Sequence, residues 1–397
     1  MMALQRTRVL DLTRVMAGPL CTQTLGDLGA EIIKIENPDG GDDTRGWPPF
    51  EKGQSAYFVT LNRNKKSVAV DISTADGQEI VRKLAAQCDV FVENYRAGTL
   101  EKYGLGYEHL REVNPQLIYC SLSGYGRVSP MAGRAGYDLV TQAESGIMSI
   151  TGDPHGDPMR VGIAVVDIIA GHNACQAVLA ALLYRSRTGK GQHIDIALLD
   201  SAIASLVNVG SGYLLTSKLP ERWGNANASV VPYTIFKASD GYFLLAVGND
   251  RQFRTLCDVI DLPHLARDDK YATSAARVEN QESLLPLLAN SFAMQDTAYW
   301  IGKLERAGLV AGKVRNIGEA LAAPEVVARE MIQEVDHATA GRLKVVGSPL
   351  KMSESPVTAP STLPILGEHT RSVLSELLQF SAEDIASLVS RAAIRCS

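Results

Sequence analysis

Residues 8–38, RVLDLTRVMAGPLCTQTLGDLGAEIIKIENP, decide how this chain folds. RVLDLT (8–13) alternates apolar residues as a short strand does. LCTQTLGDLGA (20–30) puts Leu20, Thr24, Leu25 and Leu28 on one helical face, and Gly29 stands where a helix stops. EIIKIE (31–36) is a strand again. Strand, helix and strand in about 30 residues make the repeating unit of a parallel sheet.

The alternation continues outward. KSVAVDI (66–72) reads as a strand, and Ser73 and Thr74 are cap candidates for the helix GQEIVRKLAAQC (77–88). DVFVEN (89–94) and LIYCSLSG (117–124) are further strands, with a short helix near 106–113 between them. A long helix spans about 168–187 and breaks at TGKG; QHIDIALLD (192–200) then gives a strand and the start of a helix. The expected fold is α/β, a Rossmann-like, doubly wound parallel sheet, which binds ligands at the carboxyl ends of its strands. No GxGxxG follows the first strand, which argues against the usual dinucleotide site and a generic nucleotide-binding enzyme.

After about residue 212 the texture changes. ERWGNANASVVPYTIFKASDGYFLLAVGND (221–250) is rich in Gly, Asn, Ser and Pro and carries a hairpin signal at ASDGY. The expected organisation is a large domain over 1–215, a smaller α+β domain over 225–325, and a return segment over 335–397 whose tail is helical and rejoins the large domain.

The chain has 397 residues, 46% hydrophobic and 21% charged, with a net charge of −5. That balance gives no general attraction to nucleic acid or to an anionic membrane. No run of about 18 apolar residues stands out, so no membrane span is expected. MMALQRTRVLDLT enters a strand pattern at once, leaving no room for a signal peptide. Six cysteines at 21, 88, 120, 175, 257 and 396 form no CxxC pair and suit free thiols in a reducing, cytoplasmic setting. No HExxH, no paired Cys/His at ligand spacing and no GxSxG occur, so neither a metal site nor a serine nucleophile elbow is expected.

One acid stands out. Asp167 lies between Ala164-Val165-Val166 and Ile168-Ile169-Ala170, with no basic neighbour in sequence. It reads as a helix cap, or as a carboxylate nucleophile held at a helix N-terminus. The two readings are compatible. Around it, Asn94-Tyr95-Arg96 and Ser121 to Gly126 end strands at the ligand-facing edge, and Arg45, Arg134 and Arg160 are loop cations suited to a phosphate or carboxylate. His172, one turn past Asp167, is a weaker acid/base candidate, and His155 and His193 lack partner spacing.

These motifs resemble the class III CoA-transferases, over nearly the whole chain. Residues 8–38, LNRNKKSVAVDI (61–72), DVFVENYRAGTLEKYGLGYEHL (89–110), YCSLSGYG (119–126), RAGYD (134–138) and AALLYRSRTGKGQHIDIALLD (180–200) follow in family order. GDDTRGWPPF (41–50), ITGDPHGDPMRVGIAVVD (150–167), RWGNANASVVPY (222–233) and AVGNDRQF (246–253) are similar to the succinyl-CoA:glutarate branch of that family.

The resemblance implies that Asp167 is the active-site aspartate. It implies CoA contacts at Val15 and Met16, at Val70, Asp71, Ile72 and Ser73, at Asn94, Tyr95 and Arg96, at Lys102, and at Ala135, Gly136, Tyr137 and Asp138. CoA would be a co-substrate, with no metal or further cofactor, and the partners an acyl-CoA and a free carboxylic acid. A dicarboxylate pair, succinyl-CoA and glutarate or a similar acid, would engage Arg45 and Arg160. The family's basic residue after KIE is Asn37 here, and Lys34 or Arg45 are the candidates to replace it. The implied assembly is a ring-like subunit in an interlocked homodimer. The rivals are an α-methylacyl-CoA racemase on the same scaffold, whose GHD is Gly136-Tyr137-Asp138 here, and a non-catalytic CoA-binding protein.

Overall fold

A computed structural model describes residues 1–361 and 363–397. The chain divides into two compact units. One comprises Met1–Ile147, Val161–Ser217 and Pro324–Ser397; the other comprises Met148–Arg160 and Lys218–Ala323.

The first unit is built on a seven-stranded sheet of β1 (Arg8–Leu12), β2 (Glu31–Glu36), β3 (Lys65–Val70), β4 (Val90–Glu93), β5 (Ile118–Ser123), β6 (Gln192–Ala197) and β7 (Ile394–Arg395). Their spatial order is β7-β3-β2-β1-β4-β5-β6. Strands β1 to β6 are mutually parallel, with Val9 opposite Ile32 on one side and Val90 on the other. Order reverses at β1, the first strand in the chain, so the doubly wound expectation holds for the sheet.

Successive residues of a strand point to opposite faces. Accordingly Val9 and Ile32 join one apolar cluster, with Val90, Val92, Ile118 and Cys120, while Leu10 and Ile33 join the other, with Val68, Phe91 and Tyr119. Both faces are covered, which is why these strands read as near-continuous apolar runs. Helices α1 (Ala17–Asp27) and α4 (Val165–Thr188) cover the first face, and α2 (Ala75–Ala85) helps cover the second. The short helix α3 (Asp138–Glu144) precedes α4 in the chain.

Gly29 follows α1 with φ +103°, where a Cβ would collide with the Met2 side chain, so the predicted stop has both a conformational and a steric cause. Helix α4 has the length and apolarity of a membrane span. Its Val166, Ala170, Ala174, Cys175, Val178 and Ala181 are instead packed in the core of this unit. Gly171 lets it approach α1 closely, since a Cβ there would lie 2.7 Å from the Ala17 carbonyl.

The tail is helical over Thr370–Leu378 and Ala382–Ser390, as expected. It also supplies β7, antiparallel to β3, and an upstream hairpin pairs Ile332–His337 with Gly341–Val346. Neither was anticipated. In the second unit the ASDGY turn joins antiparallel Tyr233–Lys237 and Tyr242–Ala246, as its sequence predicts, and Val310–Lys313 completes that sheet.

Candidate active site

Two adjoining cavities lie at the carboxyl edge of the first unit's sheet. The first, about 290 Å³, is lined from the end of β1 by Arg14, Val15 and Met16, from β4 by Asn94, Tyr95 and Arg96, and from β5 by Ser123 and Gly124. The 132–137 loop and Asp167 close it. The second, about 520 Å³, is lined by Lys34 of β2 with Asn37 and Asp42 beyond it, and by Val70 at the end of β3 with Asp71 to Ser73 beyond it. Arg14, Asp43 and Tyr95 border both, and the Arg14 guanidinium sits 5.0 Å over the Tyr95 ring.

Residues scattered over some 150 positions therefore converge. Val15, Met16, Asn94, Tyr95, Arg96, Ala135, Gly136 and Tyr137 share the first cavity with Asp167; Val70, Asp71, Ile72 and Ser73 share the second with Tyr95. Lys102, exposed at the end of the Thr99–Lys102 helix, lines neither. Asp138 does not line them either; it lies buried beneath the first. Arg14, Asp43 and Leu198 line the first cavity and were missed, although Arg14 and Leu198 follow strand ends and obey the same rule.

Asp167 is in the first turn of α4 and is not its cap. Ala164 holds the N-cap position and offers no side-chain acceptor. The Asp167 carboxylate accepts no hydrogen bond from the protein among the described residues. Burial, then the neighbouring Asp138 charge, push its carboxyl up to about 7.

The loop after β1 is held from both sides. Arg14 N–H donates to Asn94 Oδ1 at 2.9 Å, and Asn94 Nδ2 donates back to the Arg14 carbonyl at 2.7 Å. Val15 then adopts φ +70°, a strained value for a β-branched residue, with its N–H donating to Asp42 Oδ1 at 3.3 Å. Beneath, Lys34 Nζ donates to the Thr13 carbonyl (2.7 Å) and Asp42 (3.0 Å), and Lys65 Nζ to Asp11 (3.0 Å), all four charged groups being fully buried. Burial opposes every one of these charges; for Asp11 the adjacent Lys65 and Lys34 outweigh it and hold the carboxyl below its ordinary range, whereas Lys65 is left down at about 8.

The glycines at the β5 end serve a chain crossing. A Cβ on Gly124 or on Gly136 would fall onto the other's Cα, so both must be bare for the 134–138 loop to cross the strand end.

Arg45 does not reach the first cavity. Its Nε and Nη2 grip both Glu36 oxygens at 2.8 Å, and it stacks 3.6 Å over Phe58. With Lys34 buried and paired, neither candidate replaces the cation looked for at Asn37. A cation that does reach this segment is Arg395 of β7, whose Nη1 donates to the Pro38 carbonyl at 3.3 Å. Arg160 lies in the second unit, exposed, on a cavity it shares with Trp223 and Asn225. His172 is exposed on α4, His155 is in an exposed loop, and His193 bonds Ser121 at 2.9 Å and stacks on Tyr107.

Comparison with known proteins identifies the family. The profile of CoA-transferase family III matches residues 4–370. The succinyl-CoA:glutarate CoA-transferase of Mus musculus is 45% identical over 98% of this chain and 89% of its own. The succinate–glutarate CoA-transferase of Agrobacterium fabrum is 42% identical over 93% of this chain and 94% of its own. The crystal structure of a CAIB/BAIF family protein from Brucella suis superposes with a TM-score of 0.87 at 41% identity, covering 95% of this chain and 99% of that one. With a profile match along nearly its whole length and full-length relatives above 40% identity, the chain belongs to CoA-transferase family III.

Proposed function

We propose that this enzyme moves CoA from succinyl-CoA to a second dicarboxylic acid, glutarate or a close analogue, by covalent catalysis at Asp167. The observation that carries the reading is an unpaired carboxylate facing a cavity at the carboxyl edge of the sheet, among the strand-end residues expected to hold CoA. The two named relatives, both succinate–glutarate transferases, support the acid pair.

The Asp167 carboxylate attacks the thioester carbonyl. The C–S bond breaks, CoA thiolate leaves and a mixed anhydride forms. Thiolate then attacks the aspartyl carbonyl, the donor leaves as its carboxylate, and an enzyme–CoA thioester remains. The acceptor carboxylate repeats the attack, and the released thiolate takes the acceptor's acyl group, restoring Asp167. Each step exchanges one anion for another, so no net proton moves. Water must be kept out, because it would hydrolyse the anhydride. The cavity wall offers Val15, Met16, Ala17, Leu122 and Leu198 for that purpose.

CoA would lie across both cavities, with its thioester end beside Asp167 and its nucleotide end beside Val70 to Ser73. Arg160 is the proposed receptor for a distal carboxylate, its guanidinium able to bind one in two-point fashion. The working form is proposed to be an interlocked homodimer. Helix Val207–Thr216 supports this: it is apolar yet buries no residue, and Leu214 and Leu215 are 81% and 86% exposed. A monomer mass in sedimentation equilibrium at micromolar concentration would overturn it. Six unpaired cysteines, five of them buried, support a reducing compartment such as the cytoplasm.

The test is to incubate the protein with succinyl-CoA alone, trap with hydroxylamine or borohydride, and map the adduct by mass spectrometry. Modification at Asp167 that vanishes in Asp167→Asn is expected. An unmodified Asp167 with CoA still bound would refute the covalent reading.

A further inference from the structure

We infer that Asp138 is the positioning residue for the Asp167 nucleophile: from outside the helix, its carboxylate takes the N–H groups at the start of α4 and leaves the Asp167 carboxylate free to react. This rests on the reading of Asp167 as nucleophile.

Helix α4 begins with no cap of its own, because Ala164 has only a methyl group at that position. The N–H groups of Val166 and Asp167 are the ones a capping Ser or Asp would ordinarily take. Here Asp138 Oδ1 accepts both, at 2.8 and 3.3 Å, from 28 and 29 residues away. Asp138 Oδ2 accepts from Gln142 Nε2 at 2.6 Å, and Gln142 Oε1 accepts the Val161 N–H at 2.9 Å. Asp138 and Gln142 are one turn apart on α3 and are both buried. One turn of α3 thus grips the run-in to α4 from Val161 to Asp167.

Asp167 occupies the third helical position, where an acidic side chain ordinarily folds back onto free N–H groups at the helix start. With the Val166 and Asp167 N–H groups satisfied by Asp138, the helix start is capped without the Asp167 carboxylate, which lines the cavity and accepts no hydrogen bond from the protein among the described residues. The second negative charge has another effect. After burial, Asp138 is the charge that raises the Asp167 carboxyl, and a more basic carboxylate is a stronger nucleophile. The other charged or titratable groups around that cavity are Arg14, Asp43, Tyr95, Arg96, Arg134 and Tyr137.

Two variants separate geometry from charge. Asp138→Asn keeps an oxygen able to accept both N–H groups and drops the charge; Asp138→Ala drops both, and since either change removes the acceptor of Gln142 Nε2, the difference between the two variants isolates the cap. The first readout is the pH dependence of single-turnover labelling of Asp167 by succinyl-CoA. The second needs no catalysis: the pH dependence of the stability difference between each protein and its Asp167→Asn counterpart. The wild type should show an acid limb near pH 7 in both. Asp138→Asn should move both limbs to lower pH. Asp138→Ala should label on the order of tenfold more slowly than Asp138→Asn at the plateau, through loss of the cap. A limb that stays in place in folded Asp138→Asn, or equal plateau rates for the two variants, would overturn the inference while leaving Asp167 as nucleophile. Labelling of wild type at another residue would overturn both.

Discussion

Replacing Asp167 by Asn should stabilise the free enzyme, and increasingly so as pH rises. The folded carboxyl is raised from its ordinary 3.8 to about 7, first by burial and then by Asp138. Between those values the folded state keeps a proton that the unfolded chain has already released. Raising pH through this window therefore removes stability, and the loss is complete above about pH 7. At about 1.4 kcal/mol for each pH step, the ceiling is roughly 4 kcal/mol, and relaxation around the ion should leave about 1–3 kcal/mol measurable. The asparagine carries no such penalty. Urea unfolding of both proteins at matched concentration from pH 4 to pH 8.5 should give a difference near zero at the acid end, climbing to a plateau above pH 7 in favour of Asp167→Asn. A difference that does not vary with pH, or that is largest in acid, would refute the account of Asp167 as a desolvated, unpaired carboxylate.

Other perturbations probe the scaffold around it. Asn94→Ala should release the Arg14–Val15 loop from its two-bond clasp and raise KM for acyl-CoA about tenfold, read in steady-state kinetics with the melting temperature nearly unchanged. Gly124→Ala drives a methyl into the Gly136 backbone and should cut acyl-CoA affinity at least about tenfold by calorimetry, the analogous change at Gly136 doing the same. Asp11→Ala strands the buried Lys65 ammonium and should lower unfolding free energy by roughly 3–5 kcal/mol, most of it recovered in Asp11→Leu/Lys65→Met. Arg395→Gln should raise KM for CoA thioesters several-fold and flatten its salt dependence, without altering acceptor preference, if this cation serves the phosphate-bearing end.

The parallel sheet was legible because strands buried on both faces leave dense apolar runs, as in EIIKIE, and because Gly29 and TGKG punctuate the helices. The antiparallel β7 was not. Two residues, Ile394 and Arg395, carry no periodicity, and their strand character comes from pairing with Ala69 and Val70 more than 300 positions earlier. The excursion of 148–160 into the second unit likewise has no local marker. At the site, the isolation of Asp167 in an apolar run announced a special acid, but whether it capped its helix could not be read from its neighbours. The cap comes from Asp138, in a separate helix. Arg45 illustrates the converse: a loop arginine beside a glycine-rich stretch looks available until the fold brings Glu36 and Phe58 against it.

The placement of β7 has a consequence for synthesis. Among the described residues the outer edge of β3 has no other strand to shield it, yet its partner is encoded at residues 394–395, after the whole second unit. At about 5–20 residues per second, a ribosome takes roughly 15–60 s to travel from Val70 to Ile394. During that interval the nascent sheet presents a bare row of N–H and C=O groups along the very strand that leads to the second cavity. Lys66 at the head of that strand, partly exposed and paired with Glu31, is the sort of charge that discourages stray strand pairing, so the order of translation and the charge at this margin suit one another.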